Sequence, residues 1–326
     1  MSRPLLSLVI PMFNEELMIS ELDRRLRDLL RELPEVGAAW EVIFVDDGSK
    51  DRTLAMLKEL AASEPRYKII SFSRNFGHQA AITAGVDKAD GDAVVVLDAD
   101  LQDPPEIIAA MLARWREGYE VVYAVRKKRH GETWFKRATA ALFYRLLQAM
   151  LGGISIPADA GDFRLMSRPV VLTLRALREQ HRFVRGMVAW IGFKQVAVTY
   201  ERAARFAGET KYPLKKMIRF AVDGITSFSI VPLRAATWLG SMAGLVAISV
   251  AVWAFIQRLL GNVVQGWTTI MIAVSFGTCA QLLMIGILGE YIGRIYEEVK
   301  RRPLYVVGQE VNLPRAPGAT TDAPPS

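Results

Sequence analysis

Carboxylate side chains follow several short apolar stretches in the first part of this 326-residue chain. Asp98 and Asp100 come directly after the apolar stretch 93–97, and two further loops, at 11–16 and 46–49, place acidic residues in the same way. Two like charges this close are unfavourable unless a cation compensates them. Hard divalent cations prefer carboxylate, amide and phosphate oxygens. The pattern therefore predicts a divalent-cation site.

An ordinary helix start is the alternative interpretation of such loops. Asp51 before Thr53 and Asp103 before Pro104 both fit the N-cap preference for Asp. For a lone Asp-x-Asp pair this would be the better interpretation. Three acidic loops in equivalent places favour the site instead.

Other common chemistries lack their sequence patterns. No G-x-G-x-x-G follows the first apolar stretch and no G-x-x-x-x-G-K-[ST] occurs, so hydride transfer and ATP hydrolysis lose their main support. The single cysteine, Cys279, excludes an intramolecular disulfide and a multi-cysteine metal cluster. His78, His130 and His181 have no ligand-like spacing, and we interpret them as polar contacts. A hydrophobic content of 51% with a net charge of +7 excludes intrinsic disorder for the whole chain.

The acidic loops are positioned by alternating strand and helix patterns over residues 1–125. Such alternation is typical of βαβ units and predicts an α/β fold with a mostly parallel sheet. Side chains that follow parallel strands meet at one edge of the sheet, where ligands bind. The predicted strands are 5–10, 41–45, 68–72, 93–97 and 120–125, and the predicted helices are 16–33, 53–62, 79–86 and 106–117.

Charge is unevenly distributed along the chain. Residues 1–125 carry 14 basic and 22 acidic groups, whereas residues 126–219 carry 20 and 6. A basic segment after an acidic one indicates a surface for anions beside the cation site. Within the basic part, residues 136–150 and 213–228 have apolar residues on one helical face and polar or basic residues on the other. We expect these helices to contact a membrane surface, although either could pack on the soluble domain.

Two long uncharged runs near the C-terminus predict a transmembrane hairpin. Residues 233–257 and 267–289 are each long enough to cross about 30 Å of hydrocarbon as a helix. Basic residues flank the pair and the loop 261–266 between them is uncharged, so both ends are expected in the cytoplasm. Apart from Arg234 at the start of the first run, neither run carries a charged residue, which favours an anchor over a transporter. Glycines at small-xxx-small spacing favour a homo-oligomer, with a tetramer as one form.

These patterns divide the chain into five parts. The first apolar run is too short for a secretory signal, so we expect the N-terminal part to stay in the cytoplasm. The end of the chain is rich in Pro, Ala and Thr, which is typical of disorder. The predicted parts are a cytoplasmic catalytic domain at 1–210, an amphipathic interfacial helix at 211–232, the hairpin at 233–290, a cytoplasmic return segment at 291–307 and a disordered tail at 308–326.

Five motifs follow one another along the chain: VIPMFNE at 9–15, VDDGS at 45–49, DADLQDPPE at 98–106, AGDFRL at 160–165 and AGETKY at 207–212. They resemble the motifs of the family 2 inverting glycosyltransferases with the GT-A fold. The last two, together with the hairpin, narrow the resemblance to the polyprenyl-phosphate glycosyltransferases. That group includes dolichol-phosphate mannose synthase and the bacterial undecaprenyl-phosphate glucosyl- and aminoarabinosyltransferases.

The resemblance implies a role for individual residues at the donor. Asp98 would lie by the ribose or the metal, and Asp100 and Gln102 would bind Mg²⁺ or Mn²⁺ together with the diphosphate. Asp103 receives no role, because family members often carry another residue there. The residues that would hold the nucleoside are Pro11, Phe13, Asn14, Glu15, Asp46, Asp47 and, close to it, Arg74.

It also implies roles at the lipid acceptor. Asp159 or Asp162 would face the acceptor as the catalytic carboxylate. The Q-x-x-R-W motif of processive synthases is missing at Gln180, so one sugar per turnover is expected. The phosphates of donor and acceptor would be held by Arg126, Arg137, Arg205 and Lys211.

The implied reaction is inverting transfer of a single sugar from a nucleotide sugar, UDP-glucose first, to undecaprenyl phosphate at the cytoplasmic membrane face. The β-linked product would serve cell-envelope glycan or lipid modification, with a flippase acting downstream. A phosphate monoester is already nucleophilic near pH 7, so Asp159 or Asp162 is expected to orient groups more than to remove a proton.

Several alternatives stay open on the sequence alone. The sugar could be a 4-amino-arabinose derivative or mannose, and the acceptor could be diacylglycerol or ceramide, whose hydroxyl needs a base. A non-catalytic membrane scaffold is a further alternative. Nucleic-acid binding by the basic segment is disfavoured, because no nucleic-acid module is recognisable.

Overall fold

The structure is a computed structural model. It describes residues 5–33, 36–126, 160–200, 231–261 and 266–314. The described residues fall into two compact units, of which one holds those up to 200 and from 303 onward and the other holds 231–302. Each unit is considered by itself.

The first unit is built on an eight-stranded sheet of order β7-β5-β6-β4-β1-β2-β3-β8. β6 and β8 run antiparallel to their neighbours, and the other pairings are parallel. Strands buried on both faces read as continuous apolar runs, as in β1, whose seven residues are all buried. The strands are β1 (Leu6–Met12), β2 (Trp40–Asp46), β3 (Tyr67–Phe72), β4 (Ala93–Val96), β5 (Val121–Arg126), β6 (Ala160–Ser167), β7 (Gln195–Tyr200) and β8 (Val307–Val311).

Helices connect and cover these strands. The helix His78–Lys88 packs tightly on the sheet and requires Gly85, because a Cβ there would lie 2.2 Å from Val9 Cγ1. This contact presses that helix against β1 and so fixes where its first turn lies. The helices of the first unit are α1 (Ile19–Arg31), α2 (Thr53–Ser63), α3 (His78–Lys88), α4 (Ile107–Arg116), α5 (Arg168–Ala176) and α6 (Val184–Ile191). The α/β fold with a mostly parallel sheet is confirmed.

The end of the chain differs from the prediction. Residues 308–326 were expected to be disordered from their start, but Val307–Val311 pair antiparallel with β3. Asn312 Nδ2 then donates to the carbonyls of Ala61 (2.8 Å) and Tyr67 (2.9 Å). The physical reason is that β3 would otherwise leave its backbone groups unpaired at a sheet edge, and a short strand of this segment satisfies them. Residues 315–326 lie outside the described part.

The second unit contains two long apolar helices, α7 (Val231–Leu259) and α8 (Trp267–Lys300), which contact each other. Their spans Val231–Gln257 and Ile272–Lys300 have mean hydropathies of 2.1 and 1.9 and are long enough to cross a membrane. The predicted hairpin is thus confirmed as a helix pair. α8 also continues beyond residue 289, so the first part of the predicted return segment is helical. The predicted interfacial helix at 136–150 lies outside the described residues, as do residues 211–230 of the one predicted at 211–232, whereas Val231 and Pro232 begin α7.

Candidate active site

A cavity of about 370 Å³ opens at the carboxyl edge of the first unit's sheet. Loops that follow β1, β2, β3 and β4 contribute to it, as expected for parallel strands that end at one edge. Four of its side chains are carboxylic acids. The lining residues are Pro11, Met12, Phe13, Glu15, Asp47, Asn75, Gly77, His78, Ala81, Asp98, Ala99 and Asp100.

Asp47 forms part of the cavity wall and holds the loop that leads into α3. Its carboxylate accepts hydrogen bonds from the backbone N–H groups of Phe76 (2.6 Å) and Gly77 (2.9 Å). Gly77 has a φ of +100°, which favours glycine at this turn. Burial raises the pKa of the Asp47 carboxyl, and the two backbone hydrogen bonds partly oppose that rise. Asp47 therefore links the end of β2 to the start of α3.

Asp46, the preceding residue, lies behind this wall. It is buried, accepts from the backbone N–H of Ser49 (3.1 Å) and accepts from the hydroxyl of Ser71 (2.8 Å). Gly48 keeps the loop close to its neighbour, because a Cβ there would lie 2.5 Å from the carbonyl carbon of Arg74. Asp46 thus supports the loop and does not line the cavity.

Asn14 connects the loops after β1 and β2. Its backbone N–H donates to Ser49 Oγ (2.9 Å), and its side-chain oxygen accepts from the N–H of Lys50 (2.8 Å). Asn14 has a φ of +54°, a left-handed conformation that Asn tolerates better than most residues. It is exposed and does not line the cavity, whereas Glu15 beside it does.

Asp98 presents an unsatisfied oxygen to this site. Its Oδ1 is buried and has no hydrogen-bond partner among the described residues. Burial raises the pKa of the Asp98 carboxyl to about 6; His78 opposes the rise, and the carboxylates of Asp162, Asp103 and Asp100 add to it. A buried acceptor without a donor is unfavourable, and a cation would compensate it.

Asp100 lines the cavity, but Gln102 does not. Asp100 Oδ1 accepts from the backbone N–H of Gln102 (3.1 Å), which shapes the turn after β4. The Gln102 side chain is buried. Asp103 is also buried and accepts a hydrogen bond from the hydroxyl of Tyr200. Among the described residues, no group of three His, Cys, Asp or Glu side chains is arranged to hold a metal ion by itself.

A network around Asp162 adjoins the cavity. Its Oδ1 accepts from Arg185 Nε (2.9 Å), and its Oδ2 accepts from Gln79 Nε2 (3.3 Å). His78 Nε2 lies 3.4 Å from Asp162 Oδ2 and 3.5 Å from Asp98 Oδ1. Burial alone would raise the pKa of Asp162, but the hydrogen bonds from His78 and Arg185 and the Arg185 charge hold it well below its ordinary range. Asp162 therefore stays ionised and is fully occupied by its neighbours.

Comparison with known proteins decides the family of this chain. The sequence profile of glycosyl transferase family 2 matches residues 7–175, a stretch that contains the whole carboxylate cavity. The chain belongs to glycosyl transferase family 2.

Curated relatives match this family 2 chain over nearly its whole length. An uncharacterized glycosyltransferase of Bacillus subtilis, YkcC, is 52% identical over 94% of this chain and 94% of its own. The prophage bactoprenol glucosyl transferase homolog of Escherichia coli is 40% identical over 93% and 98%. The SfII prophage-derived bactoprenol glucosyl transferase of Shigella flexneri is 41% identical over 93% and 97%.

Solved structures that match this chain are less similar to it in sequence. The glucosyl-3-phosphoglycerate synthase of Mycobacterium tuberculosis, in complex with Mn²⁺, uridine diphosphate and its product, has a TM-score of 0.45 at 21% identity. It covers 69% of this chain and 78% of its own.

About half of the assigned residues whose side chains the structure describes line the cavity. Arg74 is exposed, lies over the Phe76 ring (4.2 Å) and is not a lining residue. Arg126 ends β5, and its side chain lies outside the described part, as do the residues Asp159, Arg137, Arg205 and Lys211. Those that line the cavity are Pro11, Phe13, Glu15, Asp47, Asp98 and Asp100, whereas Asn14, Asp46, Arg74, Gln102 and Asp162 do not.

Sequence analysis missed His78, Gln79 and Arg185. His78 was interpreted as a polar contact without a site, yet it lines the cavity between two carboxylates. Burial alone would lower the pKa of its imidazole, but the hydrogen bond to Asp162 and the charges of Asp98 and Asp162 raise it. Its position in the loop between the predicted strand 68–72 and the predicted helix 79–86 was the available signal, because that loop begins at the same sheet edge as the acidic ones.

Proposed function

We propose that this glycosyltransferase moves one sugar from a nucleotide sugar, UDP-glucose first, to the phosphate of a polyprenyl phosphate at the cytoplasmic face of a membrane. The main observation in support is that one chain combines a carboxylate cavity at a parallel sheet edge with two helices long and apolar enough to cross a membrane. The named bactoprenol glucosyl transferases, about 40% identical over nearly the whole chain, support the same acceptor.

A divalent cation fits the carboxylates of the cavity. Asp98 offers a buried oxygen without a hydrogen-bond partner, and Asp100 lies beside it at the cavity wall. Two carboxylates leave coordination positions for diphosphate oxygens, which suits Mg²⁺ or Mn²⁺. Such an ion would supply charge stabilisation for the departing nucleoside diphosphate. Gln102 is buried away from the cavity, so Asp98 and Asp100 are the better ligand pair.

The remaining cavity residues position the nucleotide. Phe13 is 43% exposed, so its ring is accessible to a base. Asp47 fixes the backbone at Phe76 and Gly77 and so shapes the wall beside α3. Correct positioning of donor and acceptor accounts for a large part of the rate in transfer reactions.

The acceptor phosphate attacks the anomeric carbon without a strong base. Its second pKa is about 6, so it is mostly a dianion near pH 7. Asp162 has both oxygens engaged by Arg185 and Gln79, which suits a positioning residue that holds His78 in place. In-line attack opposite the leaving diphosphate inverts the anomeric centre and gives a β-linked sugar from an α-linked donor.

Metal-dependent transfer is tested with the full chain in detergent micelles. Undecaprenyl phosphate, Mg²⁺ and separately labelled UDP-glucose, GDP-mannose and a UDP-linked 4-amino-arabinose derivative are incubated with the protein, and label in the lipid phase is counted. Undecaprenol and diacylglycerol serve as acceptors without the phosphate monoester. We expect transfer from one donor to undecaprenyl phosphate alone, with UDP-glucose as the donor.

Matched variants separate chemistry from folding. Asp100→Ala removes a cavity carboxylate, and Asp28→Ala makes the same change on the exposed face of α1. We expect loss of transfer in the first variant and none in the second. Transfer to diacylglycerol, or equal activity of both variants, would contradict the proposal. Binding of UDP without transfer from any donor would favour the scaffold alternative.

A further inference from the structure

A second cavity of about 340 Å³ lies next to the carboxylate cavity. It is formed by the first turn of α3, by the loop between α5 and α6, and by Leu304. Gly77 and His78 belong to the walls of both cavities. Two adjoining spaces with a common wall suit a reaction in which two substrates meet.

The two cavities differ in charge. The first has four carboxylic acids in its wall, Glu15, Asp47, Asp98 and Asp100. Among the described residues, none that lines the second cavity is acidic, and its wall carries basic and amide side chains at Gln79, Gln180, His181 and Arg182 in addition to His78. A space with this lining favours an anion that brings no metal ion with it.

Arg182 supports that conclusion independently. It is half-buried, its Nη1 donates to the carbonyl of Leu177 (2.5 Å), and its buried Nε has no partner in the described residues. Among the described residues, no carboxylate lies within ion-pair distance of the Arg182 guanidinium. The charges of Asp87 and Glu179 act on Arg182 from a distance, and Asp87 is itself paired with Arg178 (2.7 Å). A buried N–H group without an acceptor is unfavourable, and an anionic ligand would supply that acceptor.

We propose that the second cavity binds the phosphate monoester of the acceptor, with Arg182 as its cationic contact, His181 beside it, and His78 between it and the donor. This inference rests on the proposed function and deepens it. The nucleotide's diphosphate, which travels with a divalent cation, suits the carboxylate cavity. A dianion without a metal suits the second cavity, and Leu304 and Phe76 offer apolar contact to the first carbons of the lipid.

The test changes charge at one position of the cavity in opposite directions. Gln180→Glu adds a carboxylate to the wall, and Gln180→Lys adds an ammonium group. Gln309→Glu makes the first change on the exposed face of β8, outside both cavities. A folding defect would weaken binding in both Gln180 variants, so opposite effects identify electrostatics.

Binding is measured by calorimetry on the full chain in detergent. Citronellyl phosphate, a short soluble terpenyl phosphate, probes the acceptor site, UDP with Mg²⁺ probes the donor site, and inorganic phosphate probes a free anion. We expect Gln180→Glu to weaken the binding of citronellyl phosphate about tenfold and Gln180→Lys to strengthen it. The affinity for UDP should not change in either variant, and Gln309→Glu should bind both ligands like wild type. The KM for undecaprenyl phosphate should follow, while the KM for the nucleotide sugar stays constant.

The other outcomes overturn the assignment in distinct ways. A change in UDP affinity instead would assign the cavity to the donor diphosphate. Inorganic phosphate that binds as tightly as citronellyl phosphate would indicate a site for a free anion. Transfer to undecaprenyl phosphate that is indifferent to both Gln180 variants would refute the cavity assignment and leave the proposed function intact. Charge-sensitive binding of citronellyl phosphate without transfer from any donor would refute the function and leave the cavity assignment.

Discussion

Replacing Asp162 with Asn tests whether this carboxylate positions its neighbours or acts as a base. The change keeps the shape of the side chain and removes its charge. Asp162 is 5% exposed and receives hydrogen bonds from Arg185 and Gln79, with His78 beside it. If it is a positioning residue, the variant should lose stability and keep measurable transfer.

The expected loss follows from the cations left behind. Arg185 Nε lies 2.9 Å from Asp162 Oδ1, and the buried Arg164 lies 3.9 Å from the same oxygen. Removing one partner of a buried ion pair costs about 3–5 kcal/mol. The Arg185 side chain is 30% exposed, so water compensates part of that loss and we expect about 3 kcal/mol. For a domain of this size, the melting temperature should fall by about 6–12 °C.

The difference in stability between wild type and Asp162→Asn should depend on pH. The folded-state pKa of Asp162 lies below its unfolded value of about 4, so the ionised carboxylate stabilises the protein above that pH. The contribution is lost as pH falls toward the folded pKa. Asp162 also raises the pKa of His78, so the stability difference between wild type and Asp162→Asn should grow as His78 becomes protonated below pH 7. It should then shrink at low pH, where Asp162 itself becomes protonated.

The assay is thermal unfolding of the full chain in detergent, followed by tryptophan fluorescence, with transfer measured on the same preparations. Asp28→Asn on the surface of α1 is the control. A variant that melts like wild type at every pH and has lost all transfer would refute the reasoning. It would identify Asp162 as the base instead.

Three further predictions follow from the cavity and its loops. Asp100→Ala should lower kcat at least about 10³-fold while the Asp28→Ala control keeps wild-type rates, since a cation ligand that stabilises the leaving diphosphate is lost. EDTA should abolish transfer, and added Mg²⁺ or Mn²⁺ should restore it; full activity in EDTA would contradict the cation site. Gly48→Ala should destabilise the protein by about 1–3 kcal/mol in urea unfolding, because φ is +70° and the new Cβ would meet Arg74, and an unchanged midpoint would contradict that contact.

The strands and helices that carry the site were predictable because each has a strong local signal. β1 and β2 are mostly apolar and buried at every residue, so they can be identified from the sequence without knowledge of their partner strands. The two apolar helices have the strongest signal of all, a run without charge of more than twenty residues. Side chains directly after such strands could be assigned to one edge before any coordinates were known.

The network behind that edge was not predictable, because its members are far apart in sequence. Gln79 and Asp162 are 83 residues apart, and Arg185 comes from α6, the second helix after the strand that carries Asp162. β8 was missed for a different reason. Val307–Val311 is a weak strand by itself, and only the free edge of β3 gives it a partner.

Asp46 and Asp47 are adjacent in one motif, and strand geometry decides which of them faces the cavity. Successive side chains of a strand point to opposite faces, so neighbouring identical residues meet different surroundings. Asp46 accepts from Ser71 within the buried part of the sheet, whereas Asp47 lines the cavity and holds the backbone at Gly77. Asp47→Asn leaves a backbone N–H without its acceptor and removes a cavity charge.

We therefore expect Asp47→Asn to weaken UDP binding about tenfold or more, and Asp46→Asn to leave it within about twofold while lowering stability by about 1 kcal/mol. Calorimetry with UDP and Mg²⁺, alongside urea unfolding of the same full-length variants, separates the two effects. Equal loss of UDP affinity in both variants would mean that the whole acidic pair contacts the nucleotide. Side-chain alternation at the end of β2 would then not be what selects the binding residue.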